Sequence, residues 1–196
     1  MLPISTEKRS GRGTHGFTLV ELVVVIAMLI ILTGIVAPSI RVSPTRRVEG
    51  RAHQLVAHLE LARSHALGRR QMTRVVFDET ASTYTAYVDD DRNDAITEIA
   101  AEVSAFPAFG ERDLGAFVQF GRGNASAVPG DSLGLAVTLT DNKLNLSVRG
   151  VPEPWGTMGT VYLVHRDDKN AVAAISIASS GSFKAWRWWP EDAEWR

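Results

Sequence analysis

The feature that most constrains this chain of 196 residues is an apolar run near its start, which reads FTLVELVVVIAMLIILTGIVA from Phe17 to Ala37. Glu21 is the one charged side chain within this run. As an α-helix rising ~1.5 Å per residue, the run is ~30 Å long, which matches the apolar thickness of a bilayer. Because the run is apolar on every face, it does not suit a helix lying half-exposed on a soluble core. The sequence therefore predicts a transmembrane helix over residues 17–40.

Glu21 requires a partner inside this apolar helix. On insertion scales, an ionisable side chain costs roughly 2.5–3.5 kcal/mol at the bilayer centre. The N-terminal amine of a neighbouring chain would compensate its charge, provided that the chain is cut just before Phe17. A conventional secretory signal and a plain signal anchor are the alternatives. The signal is disfavoured because Ile35 and Pro38 flank a poor cleavage site.

The heptapeptide GFTLVEL, residues 16–22, follows a short basic leader and opens the apolar run. It resembles the class III leader of type IV pilins and type II secretion pseudopilins. The resemblance implies that a prepilin peptidase removes residues 1–16 by cutting between Gly16 and Phe17, and then N-methylates Phe17. It also implies that Glu21 pairs with the N-terminus of an adjacent subunit during assembly, and that Pro38 kinks the helix.

Residues 41–70 are expected to form the amphipathic half of the same long helix. Pro38 and Pro44 predict a kink or short break before Arg46, since proline removes a helical hydrogen bond and clashes with the preceding turn. Beyond the break, apolar residues recur at helical spacing. They are Val48, Ala52, Leu55, Val56, Leu59, Ala62, Ala66 and Leu67.

Beyond residue 70 the apolar spacing shortens to two, which is typical of strands. The prediction is an α+β, pilin-like fold in which the long helix packs on a C-terminal antiparallel β-sheet domain, residues 71–196, of about seven or eight strands. The strands are expected at 74–77, 84–88, 116–120, 135–139, 144–148, 161–165, 172–178 and 183–189.

The C-terminal part is similar to the GspH/FimT family of minor pseudopilins and minor pilins. The similarity is carried by LARSHA at 61–66, VVF at 75–77, DRND at 91–94 and ISIASSGS at 175–182. It implies a minor pseudopilin, a structural subunit of the type II secretion pseudopilus. Such a subunit spans the bacterial inner membrane once, holds its C-terminal domain in the periplasm, and then joins the pseudopilus. The implied partners are other pseudopilins or pilins at a filament tip, the prepilin peptidase, the inner-membrane assembly platform and membrane lipid.

No catalytic constellation is evident in the sequence, so we expect no enzyme activity and no cofactor. The absence of cysteine excludes disulfides and thiolate sites. Asp89, Asp91 and Asn93 have the oxygen-rich spacing of a calcium loop, but Asp94 and Ala100 replace the glycine and glutamate that an EF-hand needs. A solvated loop capped by these side chains is the favoured interpretation.

Four of the five tryptophans lie in the last 11 residues, mixed with cations. Strand alternation predicts one face carrying Lys184, Trp186 and Trp188, and the opposite face carrying Arg187 and Trp189. Aromatic rings beside cations suit single-stranded nucleic acid, so a FimT-like type IV minor pilin in pilus assembly or DNA binding and uptake is the alternative function. Packing on the sheet or contact with a neighbouring subunit is favoured instead.

Charge is segregated along the chain and weakens the DNA hypothesis. Residues 41–74 carry eight basic and two acidic side chains, whereas residues 75–196 carry ten basic and eighteen acidic side chains. The aromatic cluster therefore lies in the acidic part, which disfavours binding to phosphates. The segregation suits packing of the basic helix of one subunit against the acidic domain of another.

Overall fold

The computed structural model describes residues 17–36, 43–104, 110–131 and 134–196. The chain divides after Arg41 into two compact units. The expected leader, residues 1–16, and the expected kink at Pro38 lie outside the described residues.

The first unit contains helix α1, Leu19–Val36. Valine, isoleucine and leucine dominate it, and its one acid, Glu21, lies in the first turn. Within the described ranges, no helix combines the length and the apolar character needed to cross a membrane.

The second unit begins with helix α2, Pro44–Arg69. Ser43 caps the helix, since its Oγ accepts a hydrogen bond from the Arg46 amide at 3.4 Å, and Pro44 occupies the first turn. Proline is well tolerated there because its missing N–H would have no partner within the helix. Pro44 therefore starts a new helix, and Arg70 ends it in the left-handed conformation with φ of 52°.

One face of α2 is buried, as helical spacing predicts. The buried side chains are Val48, Ala52, Leu55, Leu59, Ala62, His65 and Ala66. Leu67 departs from the prediction, because it is 48% exposed. It lies at the rim of the core, beside Gly150.

Ten strands in the described residues form two antiparallel five-stranded sheets. Sheet 1 has the order β3-β2-β1-β5-β6, and sheet 2 has the order β10-β9-β8-β7-β4. A short helix α3, Ala100–Ser104, follows β2. The strands are β1 Thr73–Asp78, β2 Thr83–Val88, β3 Arg112–Asp113, β4 Val118–Phe120, β5 Lys143–Leu146, β6 Pro152–Glu153, β7 Gly159–His165, β8 Val172–Ile177, β9 Phe183–Trp189 and β10 Glu194–Trp195.

The predicted α+β class is confirmed, with two differences in the strands. The domain has two sheets where one was expected, and ten described strands where seven or eight were expected. The unexpected strands β3, β6 and β10 are two residues long. Segments this short carry no alternation that a sequence pattern could reveal.

The strand expected at residues 135–139 is not formed. Val137 makes an isolated bridge to Val161, and the Thr138 amide donates to the Thr160 carbonyl at 2.9 Å. The remaining length of that edge of β7 is occupied by β4, since Phe120 pairs with Leu163. The segment therefore has room for a short contact only.

Helix α2 contacts strands of both sheets, including β1 and β5 of sheet 1 and β7, β8 and β9 of sheet 2. Its buried stripe joins one apolar core with side chains from both sheets. The core residues contributed by these strands include Val75, Leu144, Val161, Leu163 and Ile175. The face of sheet 2 that points away from α2 remains to be covered by other parts of the chain.

Candidate functional site

The N-terminus of α1 is organised by Thr18. Its Oγ1 accepts a hydrogen bond from the Glu21 amide at 3.2 Å, and its carbonyl accepts from the Leu22 amide at 3.2 Å. Thr18 is therefore the helix N-cap, and Glu21 is the third helical residue. A carboxylate there is favoured by the helix dipole. The Thr-x-x-Glu spacing is the sequence pattern of a capping box, a signal from which this start of the helix could have been predicted.

The first unit presents an extensive apolar surface. All side chains described from Phe17 to Leu32 are exposed, and the large apolar ones are between 45% and 79% exposed. Exposed apolar surface of this extent marks contact with protein or membrane. Glu21, exposed in the first turn, places a single carboxylate at one end of this surface.

Three of the C-terminal tryptophans pack on the face of sheet 2 that points away from α2. Trp188 is 5% exposed and packs with Ala125 and Val164. The rings of Trp188 and Trp195 lie 5.3 Å apart between centroids. The indole of Trp186 donates to the Ser176 hydroxyl at 2.9 Å. Trp188, one of the four candidate contact residues, is therefore unavailable for stacking on a base or on a neighbouring subunit.

The loop after β4 covers these rings and is held by Tyr162. The Tyr162 hydroxyl donates to the Asp131 carboxylate at 2.5 Å and accepts from the Val128 amide at 2.9 Å. Burial and the Asp131 carboxylate raise the pKa of Tyr162 to about 12. The Trp195 indole donates to the Ser126 carbonyl at 3.1 Å. Neither Asp131 nor Trp195 was identified from the sequence, because both act through contacts distant along the chain.

The opposite face of β9 points towards α2, as the alternation predicts. Arg187 forms an ion pair with Glu49 of α2 at 3.2 Å and lies over the Trp189 ring at 4.2 Å. On the outward face, the Lys184 ammonium lies over the Trp186 ring at 3.2 Å. The four candidate residues are thus divided between two faces, and they do not form a single cationic platform.

The candidate calcium loop is held together by its own side chains. The Asp89 carboxylate, 1% exposed, accepts from the Asn93 amide at 3.2 Å and the Asp94 amide at 2.9 Å. The Asn93 side-chain amide donates to Asp91 at 2.7 Å. Burial raises the pKa of Asp89, and its hydrogen bond with Asp91 raises it further. Within the described ranges, no group of three or more acidic or histidine side chains is placed to hold a metal ion.

His58 and Tyr84 form the most enclosed contact between titratable side chains of α2 and sheet 1. The His58 Nδ1 and the Tyr84 hydroxyl are hydrogen-bonded. Burial raises the pKa of Tyr84 to about 12, whereas burial and the neighbouring Arg112 lower the pKa of His58. The phenol therefore keeps its proton and donates it to a neutral imidazole. This pair joins the helix to the sheet.

Two solved structures are similar to this chain at low identity. The type IV minor pilin FimU of Pseudomonas aeruginosa is 16% identical, with a TM-score of 0.48, over 71% of this chain and 87% of FimU. The minor pseudopilin EpsH from the type 2 secretion system of Vibrio cholerae is 13% identical, with a TM-score of 0.46, over 72% of this chain and 97% of EpsH. Both scores are too low to extend either protein's role to this chain.

No curated protein matches the chain. Residues 11–37, however, match the family model of the prokaryotic N-terminal methylation motif. The matched range contains the Gly16–Phe17 junction, Thr18 and Glu21. The match confirms the pilin-like recognition made from GFTLVEL: ahead of its α+β domain, the chain carries a prokaryotic N-terminal methylation motif.

Proposed function

We propose that this protein is a minor pseudopilin of a type II secretion system, a structural subunit of the periplasmic pseudopilus. The observation that carries the proposal is the methylation motif at residues 11–37, whose helix exposes apolar side chains on all sides. A prepilin peptidase cuts between Gly16 and Phe17 and methylates the new amine. The apolar helix holds the subunit in the inner membrane and then packs among the N-terminal helices of other subunits.

Glu21 gives this packing its register in the proposed assembly. Its carboxylate lies in the first turn of α1, four positions after Phe17, so the new N-terminal amine of a neighbouring subunit is its natural counter-charge. In an apolar, water-poor filament core, an unpaired carboxylate is costly. Pairing therefore favours one axial position of each subunit over others that leave Glu21 without a partner.

The secretion role is favoured over DNA uptake by the second unit. Trp188 is buried, Arg187 is engaged by Glu49, and residues 75–196 carry an excess of acidic side chains. A DNA-binding minor pilin would need exposed aromatic rings and cations on one surface.

The processing step is tested by mass spectrometry of the protein purified from membranes. The expected mature chain begins at Phe17 and carries one added methyl group. A mature chain that begins at any other residue would overturn the proposal at its first step.

The assembly step is tested by Glu21→Ala. We expect normal membrane insertion and normal cleavage, with loss of cross-linking to other pseudopilins, because the variant lacks the carboxylate that pairs with the amine. Glu60→Ala is the matched control, since it removes a partly exposed carboxylate paired with Arg63 on α2. Assembly of the Glu21→Ala variant at the level of the control would contradict the assigned role.

A further inference from the structure

Strand β9 has a partly uncovered edge in sheet 2. It runs for seven residues, Phe183–Trp189, and pairs along its length with β8. On its other side, β10 pairs with Trp188 and Trp189 only, and Arg196 extends this contact to Arg187. Among the described residues, no strand lies beside Phe183 or Ala185 on that side.

The backbone of Ala185 points towards this open side. Arg187 exchanges both backbone hydrogen bonds with Arg196, at 2.7 and 3.0 Å. In an antiparallel ladder, alternate residues direct their N–H and C=O groups to the same neighbouring strand. Ala185 lies two residues from Arg187, so its N–H and C=O point to the position that β10 would occupy if it were longer.

A groove of about 350 Å³ lies beside this edge, between α2 and β9. Three alanines, Ala52, Ala173 and Ala185, contribute small side chains to it, so it has room for one medium-sized apolar side chain. The other lining residues are Glu49, His53, Trp186, Arg187, Trp189 and Arg196.

The charges around the edge are unequal. Glu49 is paired with Arg187, and Arg196 is paired with Asp192 at 2.5 Å. Lys184 lies over the Trp186 ring, and no carboxylate of the described residues forms an ion pair with it. The edge therefore offers one uncompensated cation on its outward face.

We propose that the β9 edge at Phe183–Ala185 binds an extended, acidic segment of a partner polypeptide, which adds to sheet 2 in line with β10. Its backbone pairs with the N–H and C=O of Ala185. Its side chains alternate, with apolar ones entering the groove beside α2 and acidic ones facing Lys184. The proposal depends on the second unit alone, so it stands or falls separately from the filament function.

The binding test uses full-length protein in detergent and a synthetic peptide in which valine and glutamate alternate. We expect saturable binding by fluorescence anisotropy, together with slower hydrogen exchange at residues 183–187. The same peptide with N-methylated valines, which cannot donate to the edge, is the control and should not bind. Absence of protection at residues 183–187, or equal binding of the N-methylated peptide, would overturn the proposal.

Two protein variants locate the contact. Ala185→Pro removes an N–H that points away from β8, a position at which an edge strand tolerates proline. It should weaken peptide binding about fivefold or more, as expected for one lost hydrogen bond, whereas Ala185→Ser should not. Lys184→Glu should also weaken binding, and Lys169→Glu in the β7–β8 turn should not. Unchanged binding by a folded Ala185→Pro variant together with Lys184→Glu would contradict strand addition.

Single-stranded DNA is the competing occupant of this edge. An oligothymidylate should neither bind detectably nor displace the peptide. If it binds tightly and the peptide does not, the edge is a nucleic-acid surface and the proposal is wrong.

Discussion

Gly123 fixes the start of the loop that covers the tryptophans of sheet 2. Its φ of +52° lies in the left-handed region, and a Cβ at this position would collide with the Lys169 carbonyl oxygen. That carbonyl accepts a hydrogen bond from the Asn124 amide at 2.9 Å. The close approach of the loop to the β7–β8 turn therefore requires a residue without a side chain.

Gly123→Ala should lower the free energy of unfolding by about 2 kcal/mol or more, because the left-handed conformation and the collision both oppose the new side chain. Gly50→Ala is the control. Gly50 is exposed on α2 with no atom near its Cβ position, and alanine should stabilise the helix by roughly 0.5–1 kcal/mol. Urea denaturation would measure both. A neutral Gly123→Ala would show that the loop tolerates a side chain at this position.

At the scale of elements, strand β9 separates two kinds of contact by its alternation. Arg187 and Trp189 point towards α2, whereas Trp186 and Trp188 point towards the loop after β4. Trp195 of β10 completes the outward cluster through its contact with Trp188. The C-terminal hairpin therefore attaches the covering loop to the sheet.

Trp188→Ala should destabilise the protein by about 3–5 kcal/mol, since it removes a buried aromatic ring and leaves a cavity. The matched control is Trp155→Ala, because Trp155 is 81% exposed and its removal should change stability by no more than about 0.5 kcal/mol. Thermal denaturation followed by circular dichroism would compare the two. Equal effects of both substitutions would mean that Trp188 is not buried as described.

At the scale of the whole molecule, α2 joins the two sheets into one core. It contacts β1 of sheet 1 and β8 of sheet 2, and its histidines lie at these packed faces. Burial lowers the pKa of both His58 and His65, with Arg112 and Arg69 acting in the same direction. Protonation of either imidazole is therefore opposed by the folded structure.

The stability of the protein should consequently fall as the pH decreases through 6.5. Because both folded-state pKa values lie below the ordinary value of 6.5, the unfolded chain takes up protons first, and the folded state loses stability from about pH 7 downwards until the lowered pKa values are passed. His58→Gln should make this decline shallower, whereas His53→Gln, at an exposed position of the same helix, should not. Urea denaturation at several pH values would measure it, and an unchanged slope in His58→Gln would contradict the assignment.

Features with a strong local pattern could be predicted from the sequence. The methylation motif at residues 11–37 is contiguous, and the buried stripe of α2 follows from helical spacing. The β1–β2 hairpin and the alternation of β9 follow from the two-residue period. Each of these depends on interactions between residues close in the chain, or on one amphipathic face, so local sequence contains enough information.

Only the tertiary structure decided how these elements share space. The segment 135–139 has the pattern of a strand, yet β4 occupies most of the available edge of β7. Strands β3, β6 and β10 form because a neighbouring strand offers free backbone groups. The burial of Trp188 depends on Ala125 and Val164, which are distant along the chain. The sequence by itself determined the motif and the periodicities, whereas edge occupancy and burial depend on long-range packing that no local pattern contains.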